Sequence, residues 1–276
     1  MVSLACSPPS EHDLPIARWT VRELAWAAAE QGLAEQIHPA TIARILAEAE
    51  CKPHRVRYWL RSQDPQFREK ATRVLWYYER AAALYVRGIV VVCLDEKPNI
   101  QALGRPLPDI PMKPGKPLRR EFEYIRHGTV NLLLAHTVAT GELWEEVLPS
   151  TNSADFVAAL RRLMKHLAWA ERVELILDNA SAHTARHTQA ALDEFDGRLR
   201  FHFTPTHASW LNQAEVAIGT IHRRYIRGVP VSSRDELIDR VHAGVNDHNN
   251  HFAQPLNWSY TRHAMQKWYD EKLSPN

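Results

Sequence analysis

Two apolar, β-branched runs that each end in an aspartate constrain this chain most. "GIVVVCLDEKP" delivers Asp95 and "RVELILD" delivers Asp178. Runs of this kind suit buried strands. A charged group seldom sits beside apolar strand residues unless it is paired or bound to metal, yet an aspartate at a strand end also commonly caps the next element. Taken alone, each aspartate is open between capping and catalysis. Further strand-like runs lie at 129–138 and 143–148, joined by the turn residues "ATG", and at "RLRFHFTP". Helices are expected from Ser153, as cap, to about 170, near 185–195, and from about 211. Strands interleaved with helices make 86–276 an α/β domain.

A third carboxylate joins the two aspartates in "TPTHASWLNQAEVAIGTIHRR", where Glu215 falls in the first turns of an amphipathic helix. Ala214, Ala217, Ile218 and Ile221 form its inward stripe, and Asn212 and Gln213 keep the start polar. A glutamate there is also what the helix dipole alone favours. If Asp95, Asp178 and Glu215 converge, they form an oxygen-rich site suited to Mg²⁺ or Mn²⁺. Two such ions, roughly 3.5–4 Å apart, clamp the attacking and leaving oxygens of a phosphodiester. Glu96 is not counted as a ligand, because neighbouring strand residues point to opposite faces. Asn179 and His183 in "DNASAH" are candidates to orient Asp178 or touch a scissile phosphate, with helix capping as the alternative.

The region 18–85 reads as helical and basic, after a loose tail over 1–17. "TVRE" places Glu23 three residues after Thr20, a capping-box pattern, and Gly32 is expected to end that helix. A second helix is expected from Pro39 to Glu50. Two helices joined by a short turn suggest a helix-turn-helix DNA reader, with any small helical bundle as the alternative. Thr41 and Arg44 would face DNA. From Lys52 to Arg80 eight lysines and arginines stand against three acids, so Arg55, Arg57 and Arg61 are candidate phosphate contacts. Lys97 and, beyond Glu215, Arg223, Arg224 and Arg227 are further candidates. The loop "RPLPDIPMKPGKPLRR" is expected to be exposed and to meet DNA or a partner subunit. The tryptophans are read as packing residues, with Trp210 as the one to test for base stacking.

Composition narrows the class without naming it. A net charge of +2 over 276 residues does not by itself announce a nucleic-acid binder. Cys6, Cys51 and Cys93 are far apart in the sequence and form no CxxC pair, which argues against a thiolate zinc site and a secreted disulfide framework. "NDHNNHF" reads as a polar helix face or loop rather than a metal site. No apolar run approaches the roughly 20 residues that span a bilayer, so no membrane partner is expected. A reduced, cytoplasmic compartment is expected.

The segments "LDEKPNIQALGR", "PMKPG", "RHGTVNLLLAHTVATGE", "LDNASAHTA" and "TPTHASWLNQAE" together resemble the bacterial insertion-sequence branch of the mariner transposase superfamily. The resemblance runs from "RWTVRELA" through the C-terminal region. It implies a ribonuclease H-like catalytic domain, a mixed sheet flanked by helices, behind a small all-α helix-turn-helix region. It also implies an Asp, Asp, Glu/Asp triad, which falls on Asp95, Asp178 and Glu215 as catalytic and metal-binding residues. The last two are 37 positions apart, 215 minus 178. The implied activity is cleavage at terminal inverted repeats and joining of the freed 3′-hydroxyl to target DNA at TA, with two Mg²⁺ or Mn²⁺ ions. The implied partners are double-stranded DNA and a second copy of the chain, in a bacterial cytoplasm at the nucleoid. Many relatives begin with two helix-turn-helix units, and this chain resembles them from the second. Weaker end recognition is therefore expected than in a chain with both. The rival readings are a transposase-derived DNA-binding protein that no longer cuts, and another nuclease of the same fold.

Overall fold

The computed structural model describes residues 1–55 and 64–273, and the chain divides into two compact units, Met1–Arg61 and Ser62–Asn276. In the first, α1 (Val2–Cys6) and a 3-10 turn (Pro9–His12) precede α2 (Val21–Glu30) and α3 (Pro39–Glu48). Both halves of the expected capping box form: Glu23 N–H donates to Thr20 Oγ1 at 3.3 Å, and Thr20 N–H to the Glu23 carboxylate at 2.8 Å. Gly32 takes the left-handed φ of 67° just past α2, which glycine adopts without a Cβ clash. The core is Leu24, Ala27 and Ala28 of α2 against Ile42 and Leu46 of α3, closed by Trp19, Leu4 and Ala5.

Residues 1–17 are thus not a loose tail. Leu4 and Ala5 are each only 4% exposed, and Trp19 Nε1 donates to Ser7 O at 2.7 Å. A helix pair this short has too little apolar surface of its own, and the leading segment covers it.

The second unit is built on a five-stranded sheet in which, by chain order, the strands lie third, second, first, fourth, fifth. α4 (Phe67–Tyr85) leads into β1 (Ile89–Gly104), then β2 (Ile125–Thr137) and β3 (Leu143–Leu148) in antiparallel succession. After α5 (Ser153–His166) come β4 (Arg172–Leu177), α6 (Ser181–Thr184), α7 (Arg186–Ala191) and β5 (Leu199–Phe203), with β4 parallel to β1 and β5 parallel to β4. α8 (Gln213–Ile221) continues through a π turn (His222–Ile226) to α9 (Arg234–His251) and α10 (Arg262–Leu273). Asn152, not Ser153, caps α5, accepting from Asp155 N–H at 2.8 Å. Among the described residues no helix is long and apolar enough to cross a membrane.

The alternation of strand side chains sorts the core into two layers. Val90, Val92 and Leu94 join Leu175, Leu177, Phe156, Leu160 and Leu163 on the α5 face. Val91, Cys93 and Ile176 face the other way, onto Val74 and Ala81 of α4. The α4 helix, expected with the helical DNA-reading region over 18–85, packs within the second unit. Its cations are engaged within this unit: Arg73 pairs with Glu69, Lys70 with Asp64, Arg80 lies over Trp76, and Arg68 donates to Gln266.

His136, on β2, is buried, and among the described residues its Nδ1 has no hydrogen-bond partner. Burial, and then the nearby His248, push its pKa down to about 4. The imidazole ordinarily titrates near 6.5, so the folded chain resists a proton that the unfolded chain takes up. Stability is then full above about pH 6.5 and falls as pH drops toward 4, by on the order of 3 kcal/mol from this group. Urea unfolding of wild type and His136→Leu from pH 7.5 to 4.5 should show a shallower decline in the variant. Parallel declines would remove His136 as a cause.

Candidate active site

β1 and β4 run parallel with Cys93 opposite Ile176. Asp95 and Asp178 each lie two residues further on, so both carboxylates leave the sheet at one level, on its central strand and the strand beside it. Asp95 continues the face of Val91 and Cys93, and its Oδ1 accepts from Glu96 N–H at 2.8 Å. α8 is brought to the same place by Asn212. The Asn212 side chain is fully buried; its Oδ1 accepts from Ala214 N–H at 3.1 Å as helix cap, and its Nδ2 donates to Leu94 O at 2.8 Å. That pair of bonds fastens the start of the Glu215 helix to the residue before Asp95. Ala214, Ala217, Ile218 and Ile221 are buried as expected, leaving Glu215 exposed at the helix start.

Asp178 is held from its far side. His183 lies within 2.9 Å of Asp178 Oδ1 through Nδ1 and within 2.9 Å of Glu96 Oε1 through Nε2. It is fully buried, with its ring 4.5 Å from Phe156. Burial opposes protonation of His183, but the hydrogen bonds to Asp178 and Glu96 outweigh it and raise its pKa to about 10. The bond to His183 in turn holds Asp178 below the usual carboxylate range. Glu96 does point to the opposite face from Asp95, as strand alternation requires, and there it holds His183. Asn179 behaves differently from expectation: its amide donates to Thr204 O at 2.7 Å, tying the strand exits together rather than orienting Asp178.

Asp95 is pushed up to about 7, by burial first and then by the negative charges of Asp178, Glu96 and Glu215. Among the described residues no three carboxylate, histidine or cysteine side chains already form a closed metal cage. An open, mutually repelling set of carboxylates is nonetheless the donor chemistry of Mg²⁺ and Mn²⁺. Mg²⁺ in particular is held by one or two carboxylates and completed by water and phosphate oxygens rather than by an all-protein shell.

Positive charge gathers beside this acidic set. A cavity of about 370 Å³ is lined by Lys97, Arg105, Arg120, His222 and Arg227 among others. Burial, then Lys97, Arg227 and Arg223, hold His222 below its usual pKa. Arg120 is engaged with Asp109 and Gly228 O, and Arg105 with Phe122 O and Glu123 O. Lys97 and Arg227 have no acidic partner among the described residues. Arg224 is stacked 3.5 Å from the Phe252 ring centroid. In the first unit Thr41 is half-buried, Arg44 pairs with Glu48 at 3.0 Å, and Arg55 is exposed. Arg57 and Arg61 lie outside the described residues. Trp210, 45% exposed, packs edge-on against Tyr260; Trp169 and Trp268 are also exposed, packed edge-on against Tyr85 and Tyr269.

The mixed five-stranded sheet flanked by helices is the ribonuclease H-like fold of transposase catalytic domains. Residues 90–238 match the family described as DDE superfamily endonuclease, a stretch that holds all three carboxylates, and the chain belongs to that family. Among solved structures, the Mos1 transposase paired-end complex with left transposon end is similar at TM-score 0.52 and 17% identity, covering 91% of this chain and 76% of that one. The Mos1 mariner paired-end complex with Mn is similar at 0.51 and 18% identity over 87% and 73%. The Mos1 strand transfer complex is similar at 0.50 and 16% identity over 91% and 75%. At these identities the likeness is one of fold. A comparison with curated proteins gave no match.

Proposed function

We propose that this chain is a DNA transposase of the insertion-sequence type. In this reading it cuts at the terminal inverted repeats of its element and joins the 3′-hydroxyl ends to target DNA at TA. One observation carries the proposal: Asp95 and Asp178 leave adjacent parallel strands together, and Asn212 fastens the Glu215 helix to the same strand end. Bound Mg²⁺ or Mn²⁺, two ions in this reading, would neutralise charge on the phosphodiester and make water or a 3′-hydroxyl a better nucleophile. Asp95, Asp178 and Glu215 would hold them. His183 is a positioning residue, fixing the Asp178 carboxylate with Glu96 behind it. Lys97, Arg223 and Arg227 offer unneutralised charge to the DNA backbone, while Thr41, Arg44 and Arg55 would contact the element end from the helical unit. A second copy of the chain, bridging two ends, completes the working assembly.

Incubating the protein and Mn²⁺ with an oligonucleotide duplex ending in the element's 3′-hydroxyl and a supercoiled plasmid should yield joined products at TA. DNA binding without any joining under Mg²⁺ or Mn²⁺ would favour a DNA-binding protein that no longer cuts.

His183→Gln should weaken Mn²⁺ binding by roughly 10- to 100-fold, as loss of a group that orients a metal ligand does. Isothermal titration of the DNA-free protein measures it. Unchanged affinity would make His183 a packing residue only.

A further inference from the structure

Cys6 and Cys51 are separated by most of the first unit in sequence, yet their Sγ atoms stand 3.7 Å apart. Cys6 is the last residue of α1 and is exposed; Cys51 is half-buried against the core that Leu4, Leu24 and Leu46 build. The backbone holds Cys51 in place. Glu50 takes a left-handed φ of 52° after α3, and Cys51 N–H donates to Leu46 O at 2.8 Å. A disulfide needs about 2.05 Å between sulfurs, so closure brings the two Sγ atoms together by roughly 1.7 Å. Cys93 offers the opposite environment: it is fully buried, its Sγ is 3.2 Å from Tyr78 Oη, and burial pushes its thiol up to about 12.

We propose that Cys6 and Cys51 form a reversible redox site, closed to an intramolecular disulfide by exchange with a small-molecule disulfide such as oxidised glutathione. The thiolate of Cys6, the more exposed partner, attacks one glutathione sulfur, breaking that S–S bond and releasing one glutathione thiolate. The Cys51 thiolate then attacks the Cys6 sulfur, forming Cys6–Cys51 and expelling the second glutathione thiolate. The two cysteines lose two protons and two electrons, and the oxidant leaves as two thiols. The closed bond fastens α1 to the exit of α3 and so locks the leading segment onto the helix pair. A reduced cytosol keeps the pair open, and oxidising conditions close it. The site does not depend on the catalytic reading of the second unit.

The test uses the full chain with oxidised glutathione as the probe, followed by alkylation of free thiols, digestion and mass mapping. The expected product is one Cys6–Cys51 cross-linked peptide pair, with Cys93 alkylated only after denaturation and the cross-link removed by dithiothreitol. The oxidised protein should also be cut by trypsin at Arg18 and Arg22 roughly tenfold more slowly, since the cross-link restricts the opened state. Cys6→Ser should abolish both effects, and Cys93→Ala should retain both. Recovery of Cys6 and Cys51 as separate glutathione adducts, or of cross-links only between two chains, would overturn the proposal.

Discussion

Asp95→Asn is expected to lower metal-dependent DNA cleavage on the order of 10³-fold or more, leave DNA affinity within about twofold, and make the metal-free protein more stable. The three effects have different causes. The first follows from the proposed function, in which Asp95 on the central strand is a metal ligand whose charged oxygen the substitution removes. The second follows because, in the proposed function, affinity for the duplex rests on lysine and arginine contacts to phosphate, which the substitution leaves in place. The third follows from the packing of the site. Asp95 is largely buried beside Asp178, Glu96 and Glu215, and with no cation present the folded chain carries this repulsion. An asparagine of nearly the same shape relieves it, and melting in chelator at pH 8 should shift upward by several degrees. A catalytic site that is destabilising until its ligand arrives is a recurring arrangement. Equal or lower melting of Asp95→Asn in chelator would show that the carboxylate is satisfied some other way.

The largest structural effect is expected at Gly141, in the turn between β2 and β3. Its φ is 78°, and a Cβ there would collide with the backbone O, C and N of Gln254. The obstacle is backbone. Around the same turn, His248 lies 3.1 Å from Gly141 O, and Asn249 bonds both the N–H and the C=O of Leu143 at 2.9 and 2.8 Å. The end of α9 and the segment after it are thus seated on the turn through several contacts that cannot shift independently. Gly141→Ala should cost about 3 kcal/mol or more, read from urea unfolding. Gly197 is the control, with φ of 73° and, among the described residues, nothing within 4 Å of its would-be Cβ. Gly197→Ala should cost only about 1–2 kcal/mol, the left-handed penalty alone. Equal costs at the two positions would mean that the Gln254 contact does not constrain the turn.

The features that local patterning governs were legible in the amino-acid order. The runs ending in Asp95 and Asp178 are strands because β-branched residues fill a sheet buried on both faces, and Thr20 with Glu23 caps α2 because the two groups answer each other three residues apart. What escaped depends on partners distant in sequence. The α4 helix carries a basic excess that suggested phosphate contact, but Ala71, Val74, Leu75 and Ala81 face the core of the second unit. Asn212 looked like a polar filler; its bond to Leu94 O spans 118 positions. Glu96 was set aside by strand alternation, correctly as to its direction, while its bond to His183 spans 87. The first 17 residues lack a periodic pattern, so only the fold shows Leu4 and Ala5 closing the helical core and Cys6 meeting Cys51.

The measurement that tests the central claim most directly is cleavage of a duplex carrying the gene's own flanking repeats, comparing wild type and Asp178→Asn in Mg²⁺, Mn²⁺ and chelator. The account predicts cutting at the repeat ends by the wild type with either metal, none in chelator, and none by Asp178→Asn, although both proteins shift the duplex equally in a binding assay. Cutting by Asp178→Asn at the wild-type rate, or cutting by the wild type in chelator, would contradict it.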